Sequence, residues 1–89
     1  MVDKAITEII LYPVMKEDDI NLIETENKLV FVVGLKATKA NIRQSIEEFY
    51  KVEVEKVNTT ITNKGLKKAY VKLSPEFKAS DIAIKLGIF

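Results

Sequence analysis

Apolar and polar positions along this chain follow two periods, and the switches between them divide it into seven elements. Residues 6–11 are a short, β-branched, apolar run that stops at Tyr12-Pro13, as a strand halted by proline would. Residues 16–24 set Ile20 and Ile23 on one side behind Glu17, Asp18 and Asp19, acids that suit the positive end of a short helix. Residues 28–33 are apolar after the first, so Leu29, Phe31 and Val33 face one way and Val30 and Val32 the other. A strand apolar on both faces belongs inside a sheet covered on both sides. Thr38 stands where an N-cap is needed. Behind it Ile42, Ile46 and Phe49 recur at i, i+4 and i+7, one face of an amphipathic helix running to about Lys51.

From Val52 the period returns to two. Residues 52–62 alternate with a slip at Glu55-Lys56, which predicts a bulge there or a strand that begins near Lys56. Asn63-Lys64-Gly65 supplies a turn and residues 67–74 alternate cleanly, so the pair predicts a β-hairpin ended by Ser74-Pro75. Ser80 then caps a last helix over residues 81–86, closed by Gly87. The order is strand, helix, strand, helix, strand, strand, helix. It predicts an α+β fold: a four-stranded, mainly antiparallel sheet with helices packed on it.

Length and composition narrow the function classes. Eighty-nine residues make a single domain, 1–89, with a modest core. An apolar content of 47% with 30% charged residues fits a folded globular chain. The longest apolar runs fall far short of the ~20 residues that cross a bilayer, so no membrane insertion is expected. Nor does the start of the chain show the basic-then-apolar pattern of a secretion signal. There is no cysteine and no histidine, which removes disulfides, thiolate sites, the commonest metal ligand and the usual general base. Neither a cofactor nor a metal nor a catalytic activity is expected.

Net charge is only +1, but its distribution is uneven. Residues 1–50 carry six Lys/Arg against nine Asp/Glu, and residues 51–89 carry eight Lys against four acids. Two surfaces with different partners would produce that polarity, as would chance segregation in a small chain.

Strand alternation sorts the hairpin into two faces. Val57, Thr59 and Ile61 pair with Ala69, Val71 and Leu73 toward the core. The other face is left with Lys56, Asn58, Thr60 and Thr62 beside Lys68, Tyr70 and Lys72, with no carboxylate among them. Ammonium groups neutralise phosphates, Asn and Thr donate to phosphate or sugar oxygens, and Tyr70 offers a ring for stacking on an unpaired base. Lys64 and Lys67 extend the charge around the turn. The alternative is a solvated strand face with Tyr70 packed under a helix.

Lys39 and Arg43 open the second helix, where a phosphate would satisfy both the amides and the cations; equally, Arg43 and Glu47 form an ordinary i, i+4 pair. Glu17-Asp18-Asp19, with Glu24 and Glu26, makes an acidic pole. It is a solvated helix start or a protein-docking surface, and only with further groups, absent here, a Mg²⁺ or acid/base site.

Lys67-Lys68-Ala69-Tyr70-Val71-Lys72-Leu73-Ser74, followed after seven residues by Ile82, is similar to the signature of the universal large-subunit ribosomal protein family numbered twenty-three, in its archaeal form. Ala37-Thr38-Lys39 with Ile42-Arg43, Val52 and Val54 with Val57-Asn58-Thr59, and the ending Leu86-Gly87-Ile88-Phe89 resemble its other blocks, so the likeness runs from Ile9 to Phe89. The resemblance implies a cytoplasmic, ribosome-bound protein that is a monomer within the particle. It implies binding to large-subunit ribosomal RNA at the polypeptide tunnel exit, beside neighbouring ribosomal proteins, with a rim surface that docks the signal recognition particle. The family's Pro-x-x-Thr-Glu-Lys block maps onto Pro13-Val14-Met15-Lys16-Glu17-Asp18, so the resemblance puts docking at Glu17 and Asp18, although Lys16 and Asp18 depart from the block. Bacterial members carry a long loop where this chain has only Asn63-Lys64-Gly65, which implies that this chain does not line the tunnel wall.

RNA binding is thus expected at Lys39, Arg43, Lys56, Asn58, Thr60, Lys64, Lys67, Lys68, Tyr70 and Lys72. The reading from another class is a free-standing α+β interaction or regulatory module, which would suit the near-neutral net charge.

Overall fold

The computed structural model describes residues 9–88. In chain order the elements are β1 (Ile10–Pro13), α1 (Glu17–Glu26), β2 (Lys28–Val33), α2 (Lys39–Tyr50), β3 (Val54–Ile61), β4 (Lys67–Leu73) and α3 (Ala79–Leu86). The strands form one antiparallel sheet in the order β1-β2-β4-β3, the α+β architecture that the two periodicities predict. Of the first strand, residues 6–8 lie outside the described residues. Its observed part carries Pro13 opposite Phe31 on an edge, where a residue without an N–H is tolerated.

The main core gathers on one face of the sheet. Leu29, Phe31 and Val33 of β2, Ala69, Val71 and Leu73 of β4, and Val54 and Val57 of β3 meet Ile42 and Ile46 of α2 and Ala79, Ile82 and Ala83 of α3. Full burial of each large aliphatic or aromatic side chain contributes about 1.5–3 kcal/mol. Two positions expected in that core are not in it. Phe49 is 55% exposed and stands edge-on to Tyr50, the ring centroids 4.9 Å apart. The inward ladder of α2 steps by four, Ile42, Ile46, Tyr50, so Tyr50 rather than Phe49 packs against the core before the helix stops at Lys51. Ile61 is 58% exposed, because it pairs with Lys67 at the turn end of the hairpin, beyond the helices that cover the core.

The slip at Glu55 is a β-bulge. Val54 pairs with Leu73 and Lys56 with Lys72, so Glu55 is the extra residue between them. Val54 thereby takes the place opposite Leu73 that simple alternation gives to a later residue. The turn closes with Thr62 and Leu66 bonded through their backbones at 2.8 Å, and Gly65 supplies the left-handed conformation at φ +82°.

Thr38 caps α2 as its position predicts: its hydroxyl accepts from the Asn41 amide at 3.0 Å, and the Asn41 side chain accepts from the Thr38 amide at 3.3 Å. Thr38→Ala is expected to lower unfolding free energy by ~1 kcal/mol in urea titrations, with the slope unchanged.

The last helix is capped from a distance. It starts at Ala79, so Ser80 lies inside it, and the residue before it, Lys78, makes no side-chain cap. Asn27 does the capping: its Oδ1 accepts from the Ala79 amide at 2.7 Å, and its Nδ2 donates to the carbonyls of Phe77 at 2.8 Å and Leu73 at 3.2 Å. Asn27 also ends α1, two residues later than expected, in the left-handed region at φ 57°. Asparagine tolerates that region better than other residues with a side chain.

α1 packs chiefly against β2. Val30 and Val32, which point away from the main core, are only 4% and 3% exposed. The second apolar face of β2 is therefore covered, as its composition requires.

Candidate nucleic-acid interface

Pairing register orders the second face of the sheet into rows that run across the strands. Lys28 of β2, Lys72 of β4 and Lys56 of β3 form one row; Val30, Tyr70 and Asn58 form the next; Val32, Lys68 and Thr60 form the third. The residues chosen by alternation thus do share a face, but they divide into two groups with different surroundings.

The group on β3 and the turn is open. Lys56, Asn58, Thr60 and Lys64 are exposed, and Lys72 is half-buried between its neighbours. Among the described residues none of the three lysines forms an ion pair within the protein. Lys39 is likewise exposed, on the first turn of α2.

The other group is engaged in holding the fold. Lys68 donates to Asp19 at 3.1 Å, both side chains mostly buried, and its ammonium lies over the Tyr70 ring at 5.5 Å from the centroid. Burial opposes the charge on Lys68. The hydrogen bonds to Asp19 and Tyr70, with their charges, more than offset it, and the ammonium holds its proton more tightly than a free lysine. The side chain that would aid stacking on Tyr70 therefore occupies a face of its ring instead. Lys67 donates to the Ala37 carbonyl at 2.7 Å, tying the hairpin to the loop before α2. Arg43 donates to the Val54 carbonyl, and Glu47 accepts from the Val54 amide at 2.9 Å. Both bonds fall on Val54, beside the bulge, and satisfy the edge of β3 there. Arg43 and Glu47 also approach within 3.6 Å of each other, the i, i+4 pairing open to them from their spacing.

The acidic pole divides in the same way. Glu17 and Asp18 are exposed on the first turn of α1, while Asp19 is 8% exposed and committed to Lys68. Acid and base poles are thus joined at one buried contact instead of lying apart. A groove of about 560 Å³ lies beside this helix start, between Tyr12, Val14 and Met15 on one side and Leu66 and Lys64 of the turn on the other. Among the described residues, no three acids gather as a metal site would require. None of the described helices is long and apolar enough to cross a membrane.

Lys28 is the basic residue that alternation within the hairpin could not find. It belongs to β2, and only the β2–β4 register sets it beside Lys72. The signal for it is its place as the one polar residue heading an otherwise apolar strand. Its ammonium bonds Glu26 at 2.9 Å, and that hydrogen bond, with the charges of Lys28 and Lys72, holds the Glu26 carboxyl below the usual range.

Residues 8–81 match the family model described as ribosomal protein L23. The chain is 46% identical over 82 residues to the large ribosomal subunit protein uL23 of Methanococcus aeolicus, covering 92% of this chain and 95% of that one. It is 48% identical over 81 residues to the protein of the same name from Methanothermobacter thermautotrophicus, covering 91% and 94%.

Proposed function

The chain belongs to the ribosomal protein L23 family, and from that premise we propose that it binds large-subunit ribosomal RNA at the polypeptide exit tunnel through the open half of its sheet. It is a structural component of the large ribosomal subunit, not an enzyme. The observation that carries the RNA-binding surface is the cluster of Lys56, Lys72 and Lys64 with Asn58 and Thr60, cations and donors with no carboxylate paired to them among the described residues. Lys39 adds a cation at the start of α2. Lys67, Lys68 and Arg43 act as the scaffold that fixes this surface, and Tyr70 as the wall between Lys68 and Asn58.

The second surface is the start of α1. Glu17 and Asp18 are exposed on the first turn of α1, and their two carboxylates suit a basic protein partner; the adjoining groove is lined by Tyr12, Val14 and Met15 together with Lys16, Lys64 and Lys68. In this reading it docks the signal recognition particle at the tunnel rim, where neighbouring ribosomal proteins flank it.

Replacing Lys56 and Lys72 together by glutamine is expected to flatten the salt dependence of binding to a large-subunit rRNA fragment by about two units of log K against log salt. Filter binding over a salt series measures it. An unchanged slope sinks the assignment of this face. Co-sedimentation with the large subunit tests the wider reading, and a chain found only in the soluble fraction favours a free-standing interaction module.

A further inference from the structure

Among the described residues, the row formed by Lys28, Lys72 and Lys56 has no counterpart elsewhere on the sheet. Three like charges sit directly opposite one another on adjacent strands, about 5 Å apart at the backbone. Like charges placed so oppose folding. Among the described residues the only carboxylate paired with the row is Glu26, bound to Lys28 at one end and itself half exposed. At the other end the unbroken register from the turn sets Lys56 opposite Lys72, and the bulge at Glu55 ends that register immediately beyond it.

We propose that Lys28, Lys72 and Lys56 form one strip that binds successive phosphates of an RNA strand running across the β-strands, and that Glu26 holds the place of a phosphate at the Lys28 end until RNA displaces it. The proposal rests on the RNA-binding reading of this face and deepens it. It adds Lys28, which bonds within the protein in the free chain, and makes Glu26 an internal competitor. A carboxylate bound to an ammonium at 2.9 Å occupies the same donor that a phosphate oxygen would take. RNA reaching all three lysines must displace Glu26, so the competitor weakens binding to any polyanion that holds the strip only briefly. Glu26 is tethered one residue from β2 and its side chain is half exposed, so it can swing aside without disturbing the sheet.

The test uses the full chain and a fluorescein-labelled, mixed-sequence, single-stranded RNA, titrated over a salt series. Glu26→Gln is expected to raise affinity roughly two- to fivefold, the worth of a lost surface ion pair. Lys28→Gln is expected to flatten the salt slope by about one unit, and Lys28→Arg to keep it. In the Lys28→Gln background the gain from Glu26→Gln should vanish. Thermal melts of each variant check that the fold survives; if Lys28→Gln melts early, the Glu26→Gln and Lys28→Arg results decide alone. If Glu26→Gln leaves affinity unchanged and Lys28→Gln leaves the slope unchanged, while Lys56→Gln and Lys72→Gln still flatten it, the strip ends at Lys72 and the proposal falls with the RNA reading intact. If none of the four changes the slope or the affinity, both fall.

Discussion

Replacing Asn27 by alanine is expected to lower unfolding free energy by about 3 kcal/mol, the largest loss of any single polar substitution in this chain. Its side chain accepts from the Ala79 amide and donates to the Phe77 and Leu73 carbonyls. Truncation leaves the first turn of α3 without its cap and two carbonyls of a half-buried loop without a partner, at ~1–3 kcal/mol for each group that water does not reach. Alanine also sits poorly at φ 57°, which adds ~1 kcal/mol. For a domain of this size the melting temperature should fall by roughly 12–24 °C. Asn27→Gly separates the two causes, since glycine keeps the left-handed backbone and loses only the hydrogen bonds. Calorimetry of the three proteins measures both. A glycine variant as stable as the native chain would show that the side-chain bonds contribute nothing.

The same residue marks where local reading of the chain stops. Thr38, the slip at Glu55 and the turn at Asn63-Lys64-Gly65 are legible because cap, bulge and turn are decided by residues a few positions apart. Ser80 is misleading for the same reason: it has the chemistry of a cap at nearly the right place, but the Ala79 amide is already satisfied from 52 residues away. Phe49 fits the i, i+7 step, and only packing shows that Tyr50 takes the inward position. The candidate site follows the same rule. Lys56, Asn58, Thr60, Lys68, Tyr70 and Lys72 share a face because alternation requires it. That Lys68 is neutralised by Asp19, and that Lys28 joins Lys72, depend on where α1 and β2 pack, which no spacing within the hairpin encodes. One sequence signal did bear on it. The two apolar faces of β2 require cover on both sides, so part of the hairpin's second face had to be roofed.

Asp19→Ala is expected to cost about 2 kcal/mol, because it strands the Lys68 ammonium in a mostly buried position. Lys68→Met should cost less, since a methionine keeps the stem's packing and Asp19 lies in the first turn of α1, whose positive end favours a carboxylate. The double variant is expected to recover much of the Asp19→Ala loss, and the coupling from the four stabilities isolates the pair. If Asp19→Ala costs the same in the Lys68→Met background, the pair is not the source of the loss. The pH dependence has a definite sign. The folded ammonium holds its proton more tightly than the unfolded one, so its contribution is complete below the ordinary lysine value of 10.5 and disappears as pH rises through the higher folded value. The stability difference between the native chain and Lys68→Met should therefore be flat through neutral pH and narrow only in strong alkali. A difference that changes between pH ~6 and ~8, where lysine does not titrate, would contradict this assignment.

The bond from Asn27 to Ala79 also has a place in time. A chain is made from its N-terminus at ~5–20 residues per second, so 52 residues separate the synthesis of the two partners by about 3–10 s. Through that interval α1 and β2 exist without the strand and helix that Asn27 joins to them, and their apolar faces have only β1, α2, β3 and each other to meet. The sheet can gain its central strand β4 only near the close of that interval, and α3 locks last. Asn27 is thus a latch set early and closed late, and the cooperativity of the finished fold is absent from the growing chain until α3 is made.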